Sequence, residues 1–242
     1  MNPIYKLHCG DCLEVMKTIP DSSIDMVLCD LPYGKTHNAW DIPIDLSALW
    51  EQYRRIIKTN ACVALFGQGA FCADLIESNR KMFRYDLIWH KNTHTGFLNA
   101  NRMPLRCHES ILIFYQKLPP YHPQKTDGRP YFRSHRKQGS VNYGKQWDIS
   151  TRNPTGRRMP QSIIKISKST GKMRHPTEKP VPLLEWLIRT YTDEGATVLD
   201  NCMGSGSTGE AALKSGRSFI GIEKDEQYFK VASERLQALE VL

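Results

Sequence analysis

Residues 197–223 constrain the fold more than any other stretch. Thr197-Val198-Leu199-Asp200 reads as a short strand and Glu210-Ala211-Ala212-Leu213-Lys214 as a helix. Between them lies the glycine-rich turn Asn201-Cys202-Met203-Gly204-Ser205-Gly206-Ser207-Thr208-Gly209. Ser218-Phe219-Ile220-Gly221-Ile222-Glu223 then reads as a second strand that ends in an acid. Glycine lets a ligand approach the backbone closely, and free amides at a helix start attract a carboxylate or phosphate. An acid at the end of the next strand can accept hydrogen bonds from both ribose hydroxyls of an adenosine. The unit describes a nucleoside cofactor site without saying which cofactor. Further strands are expected near 4–8, 24–29, 61–66, 84–90 and 108–115, with helices near 11–18, 45–58, 69–79, 180–192 and 225–239. Alternation of this kind predicts an α/β fold with a mostly parallel, doubly wound, seven-stranded sheet.

A second turn carries the chemistry. The apolar run Ile24-Asp25-Met26-Val27-Leu28-Cys29 delivers Asp30-Leu31-Pro32-Tyr33 and then Gly34 to the carboxyl end of a strand, where open α/β sheets bind ligands. A flat base with an exocyclic amine suits these groups. The Asp30 carboxylate and the Leu31 carbonyl accept one amine hydrogen each, Tyr33 offers a stacking face and Pro32 fixes the turn. Taken alone, the tetrapeptide also reads as an ordinary turn.

Together these motifs resemble the S-adenosylmethionine-dependent amino-group DNA methyltransferases. The similarity is to their β arrangement, in which an Asp-Pro-Pro-Tyr element precedes the cofactor glycine loop. That loop, normally Asp-Pro-Phe-x-Gly-Ser-Gly-Thr-Thr, is matched from Asp200 to Thr208, and His-Pro-Thr-x-Lys-Pro is matched by His175 to Pro180. Gly10-Asp11-Cys12 matches the element before the catalytic strand, and Glu109-Ser110-Ile111-Leu112 matches a Glu-Ser-Ile-Leu-like strand. Two departures stand out: Leu31 replaces the first proline, and Asn201-Cys202 replaces Pro-Phe. The resemblance implies a circularly permuted Rossmann-like methyltransferase fold with one antiparallel strand, for which residues 111–115 are the candidate. It implies a catalytic half over 1–116, a target-recognition insertion over 117–174 and a cofactor half over 175–242. It also implies that S-adenosyl-L-methionine is held by Asp11, Cys12, Asp30, His175, Lys179, Asp200, Asn201, Cys202, Gly204, Gly206, Glu223 and Lys224.

Several of these residues keep a second reading. Asp11 suits a helix N-cap as well as an adenine amine. Glu223 suits a solvated strand end, and His175 and Lys179 suit a capped helix start. Trp89, in Trp89-His90-Lys91-Asn92, reads as core as readily as site, and the loop from Asn99 to Arg106 borders the target pocket without an assignable role.

The charge of the chain is localised. Residues 116–180 hold fifteen Lys and Arg against three acids, a net of +12 in a chain of net +8, so the remainder is net −4. Tyr121, Tyr131, Phe132, Tyr143 and Trp147 are interleaved with the basic residues, and proline and glycine break the segment repeatedly. A basic, aromatic insertion faces a polyanion, with Arg133, Arg136, Arg152, Arg157 and Arg158 as phosphate contacts. A solvated basic loop is the plainer alternative. Seven cysteines, mostly in apolar runs, suit reduced thiols of a cytoplasmic protein. Cys9 and Cys12 have metal-like spacing without a second pair, and no uncharged run has the length of a membrane span.

The expectation is adenine-N6 methylation of double-stranded DNA by base flipping, with cytosine N4 as the alternative target. A catalytically silent DNA-binding homologue is the competing class. A cognate restriction nuclease and a second copy of the chain are the further partners to consider.

Overall fold

The computed structural model describes residues 4–34, 42–135, 149–168 and 178–240. Its main sheet has eight strands. In chain order these are β1 (Tyr5–Cys9), β2 (Ile24–Cys29), β3 (Ile57–Gly67), β4 (Phe83–Thr95), β5 (Arg106–Phe114), β8 (Ile163–Lys165), β9 (Thr197–Asp200) and β10 (Ser218–Glu223). A separate two-stranded sheet holds β6 (Tyr131–His135) and β7 (Ile149–Asn153). The helices are α1 (Cys12–Met16), α2 (Leu46–Ile56), α3 (Ala70–Ser78), α4 (Val181–Tyr191), α5 (Ser207–Lys214) and α6 (Glu226–Glu240).

Across the main sheet the order is β1, β10, β9, β2, β3, β5, β4, β8. All neighbours are parallel except at β5, which runs antiparallel to both β3 and β4. The antiparallel strand expected over 111–115 is therefore present and begins earlier, at Arg106.

Both faces of the sheet are covered. Alternate side chains of one strand point to opposite faces, so a strand buried on both sides reads as a continuous apolar run. Along β2, Val27 and Cys29 join a core with Met16, Trp50, Tyr53 and Leu75, while Met26 and Leu28 join a second core with Leu187, Ala211 and Leu236. Trp89, ambiguous in sequence, is buried in the second core and donates through Nε1 to the Ile166 carbonyl at 2.8 Å.

The eighth strand departs from the expected seven. Three residues are too few to show a period, so β8 is silent in sequence and exists because Ile88, Trp89 and His90 offer an edge to pair with. An insertion is expected over 117–174. The compact second unit is Pro123–Gln161, while residues up to His122 and from Ser162 belong to the large unit. Within the second unit, β6 pairs antiparallel with β7, and Thr126 bridges Arg158.

This strand order positions the site. From β9 the chain crosses through α5 to β10 on one side, while from β2 it crosses to β3 on the other. Since β9 and β2 are neighbours, their carboxyl-end turns diverge and leave a crevice, the usual ligand position in an open α/β sheet.

Candidate active site

A cavity of about 510 Å³ opens at this crevice. It is lined by Asp11, Cys12, Asp30, Leu31, Pro32, Tyr33, Lys179, Asp200, Asn201, Cys202, Gly204, Glu223 and Lys224, which come from five separate turns. Gly206, between the lining residues Ser205 and Ser207, is the N-cap of α5. His175 lies outside the described residues.

The cofactor half is built by carboxylates that hold backbone turns. Glu223 accepts from the Gly204 amide and the Asp225 amide, both at 2.8 Å. Burial nevertheless pushes its carboxyl up, against the lowering effect of those amides. Asp200 is fully internal: one oxygen accepts from the Cys202 amide at 3.1 Å and the other from the Thr208 hydroxyl at 2.6 Å. Burial pushes Asp200 up to about 6. Gly204 and Gly206 have φ of 52° and 77°, the left-handed region that favours glycine. A Cβ on Gly206 would stand 3.0 Å from the Ala232 Cβ, so the residue also lets α6 pack closely. Among the described residues no side chain caps the α5 N-terminus.

Asp11 fulfils its helix-capping role, accepting from the Leu13 amide at 3.0 Å, and its second oxygen stands 3.3 Å from Lys224 Nζ. Asn201 is buried and accepts from the Tyr53 hydroxyl at 2.5 Å. Cys12 and Cys202 are hydrogen-bonded neighbours on the wall, and that bond with burial raises the Cys12 thiol. Arg235, buried between helices, bonds Glu178 at 2.8 Å and Glu210 at 2.5 Å and reaches the Ser205 carbonyl at 3.2 Å. It thereby ties the glycine loop to α6 and to the turn before α4.

The catalytic half is organised by charge. Asp30 Oδ1 accepts from the Tyr33 hydroxyl at 2.8 Å, and Oδ2 accepts from Lys179. Tyr33 packs its ring on Phe71 with centroids 4.6 Å apart. Lys179 Nζ stands 3.4 Å from Glu109 Oε2 and 5.0 Å from the centre of the Phe66 ring. Glu109 Oε1 accepts from Lys91 at 2.5 Å, while the buried Oε2 faces Lys179 Nζ across the 3.4 Å contact. Burial disfavours the charge on Lys179, but Asp30 and Glu109 outweigh it and raise the group. Burial likewise pushes Glu109 up, and Lys179 and Lys91 together overcome this and lower it. The result is an alternating row of Asp30, Lys179, Glu109 and Lys91 behind the target turn.

Glu109 and Lys91 carry no role in the sequence-based assignment. Their strands also carry Arg84, Asp86 and His90 on β4 and Arg106 and His108 on β5, so residue type alone does not single them out. Which lysine meets which carboxylate depends on strand order.

In the second unit the predicted arginines separate. Arg133 and Arg152 are exposed on β6 and β7, and Arg157 is exposed in the turn that follows. Arg158 is instead stacked over Tyr131 at 4.5 Å and donates to the Gly156 carbonyl at 2.9 Å and to that of Arg129. Its guanidinium braces the unit from within. Arg136 lies outside the described residues.

The groups on the cavity wall fit S-adenosylmethionine. Glu223 suits a ribose, the uncapped α5 amides suit a carboxylate, and the left-handed glycines leave the backbone open to close approach.

Comparison with known proteins agrees. The N6/N4 methyltransferase family model, described as DNA methylase, matches residues 24–234. The Type II methyltransferase M.HinfI of Haemophilus influenzae is 29% identical over 274 residues, covering 99% of this chain and 69% of the relative. The crystal structure of the M1.HpyAVI–SAM complex superposes with a TM-score of 0.65 at 23% identity, covering 96% of this chain and all of that one. PvuII DNA methyltransferase (cytosine-N4-specific) gives 0.71 at 14% identity, covering 97% and 87%. These two structures share the fold.

Proposed function

Because the chain belongs to the N6/N4 DNA methylase family, we propose that it transfers a methyl group to adenine N6 in double-stranded DNA at a specific sequence. The observation that carries this reading is Asp30 at the crevice, held by Tyr33 and Lys179 in the same cavity as Glu223 and Gly204. S-adenosylmethionine, when bound, supplies an electrophilic methyl on a sulfonium. The rest of the work falls to the chain.

Glu223 and the glycine loop hold the nucleoside end, and Tyr33 and Lys179 hold the Asp30 carboxylate in place. A carboxylate has lone pairs beyond the two already engaged, so Asp30 can take one amine hydrogen while the Leu31 carbonyl takes the other. Together they draw the nitrogen lone pair out of conjugation with the ring and toward the methyl. Tyr33 stacks on the base. Positioning and electrostatic preorganisation carry the rate, without a covalent enzyme intermediate. The target is out of reach inside a duplex, so it must be flipped out at a cost of a few kcal/mol.

The basic second unit is the target-recognition region, with Arg133, Arg152 and Arg157 on phosphates and few side chains on base edges. The similarity to M.HinfI, described as a Type II methyltransferase, supports the methyl-transfer reading, and a cognate restriction nuclease is the further partner proposed. Among the described residues no helix is long and apolar enough to cross a membrane, and the reading is of a cytoplasmic enzyme that works as one copy or two.

Cytosine N4 is the second reading, since it too presents an amine beside a ring nitrogen. Mass spectrometry of nucleosides from DNA treated with the protein and the methyl donor separates the two. N6-methyldeoxyadenosine is expected and should be lost with Asp30→Ala, while cofactor binding persists. N4-methyldeoxycytidine would overturn the adenine assignment, and no modified base at all would overturn the function.

A further inference from the structure

The tip of the β4–β5 hairpin is the most exposed apolar feature of the catalytic unit. Phe97 is 74% exposed, Leu98 89% and Met103 53%. The tip is built rather than slack. Phe97–Asn99 forms a 3-10 turn, and the Asn99, Ala100, Arg102 and Met103 amides all bond back to carbonyls within it. Gly96, in the left-handed region at φ 89°, makes the sharp exit from β4.

Its position follows from topology. β5 runs antiparallel to β3 and β4 antiparallel to β5, so β4 ends at the same edge of the sheet as β2 and Asp30. Three strand spacings separate β2 from β4, about 14 Å. The row from Asp30 through Lys179 and Glu109 to Lys91 spans that interval, and Gly96 follows Lys91 by five residues. From Lys91 to His108 there is no acid, while Arg102 and Arg106 are both exposed. An isolated apolar cluster in water is unfavourable, and a cationic collar around it selects a polyanion over a protein groove.

We infer that this tip is a wedge that enters duplex DNA beside the target base, with Phe97 and Leu98 filling the gap in the stack as the base turns toward Asp30. Apolar side chains that part base steps act this way, and arginines at their foot grip the flanking phosphates. The inference rests on the proposed base flipping.

Single-turnover methylation by wild type and by a Phe97→Ala, Leu98→Ala double variant tests it. Two duplexes are compared: one with the target base normally paired, one with it opposite an abasic site. Both side chains are solvent-facing, so the thermal midpoint and the cofactor Kd should hold. The variant should be slower than wild type by roughly tenfold or more on the paired duplex, and close to wild type where the partner base is missing. Wild-type rates from the variant on the paired duplex overturn the wedge alone. Equal loss on both duplexes also overturns it, and an accompanying fall in sedimenting mass assigns the tip to a second copy of the chain. If wild type methylates neither duplex, the proposed function fails and the wedge with it.

Discussion

Glu109→Gln should be among the most damaging nearly isosteric changes in this chain. The carboxylate lies between two buried ammonium groups, 2.5 Å from Lys91 and 3.4 Å from Lys179. Lys91 and Lys179 are each under one-tenth exposed, so water replaces little of what is lost. Removing the charge leaves Lys91 with an amide oxygen at best and takes one of the two carboxylates that face Lys179. Breaking a buried pair in this way costs about 3–5 kcal/mol.

The pH dependence separates this account from simple repacking. Glu109 is lowered from its ordinary 4.5 because the two lysines outweigh its burial. A carboxyl lowered in the folded state stabilises above its unfolded value and loses that contribution as pH falls through the folded one. The gap between wild type and variant should therefore be full at pH 7 and narrow progressively below about 4.5. Urea unfolding followed by circular dichroism reads it. With a slope of about 3 kcal/mol per molar urea, the midpoint at pH 7 should fall by roughly 1–1.7 M. A loss below about 1 kcal/mol at pH 7, or a gap that stays constant into acid, would refute the reasoning.

Glu223→Ala removes the ribose acceptor and frees the Gly204 amide, so calorimetry should show cofactor Kd rising by roughly one to two orders of magnitude, with turnover at saturation affected far less. Arg157→Ala should make the salt dependence of DNA binding shallower by about one unit with stability unchanged. Arg158→Ala should instead lower the melting temperature, because its guanidinium holds the Gly156 and Arg129 carbonyls, and a reversed pattern would exchange their roles. Asp200 is pushed up from 3.8 to about 6 by burial, so its contribution is full below 3.8 and is lost as pH rises through about 6. Relative to wild type, Asp200→Asn should thus gain up to about 3 kcal/mol between pH 4 and 7 in denaturation titrations, and a flat difference would mean that the carboxyl titrates normally.

The local half of this protein was legible in its sequence. Asp200 with its glycine turn, Asp30 with its Pro-Tyr turn and the apolar runs before them are short-range patterns. Backbone conformation and burial period are written in neighbouring residues, and the α/β class followed from their alternation. The tertiary structure decided the rest. Asp30 and Lys179 are 149 residues apart and meet only because β9 inserts beside β2. Glu109 and Lys91 join them because β5 and β4 pair at the same edge. Arg157 and Arg158 are adjacent and chemically identical, yet one faces solvent and the other lies over Tyr131. A charged side chain takes its role from the partners within a few ångströms of it, and those partners are set by strand order rather than by position along the chain.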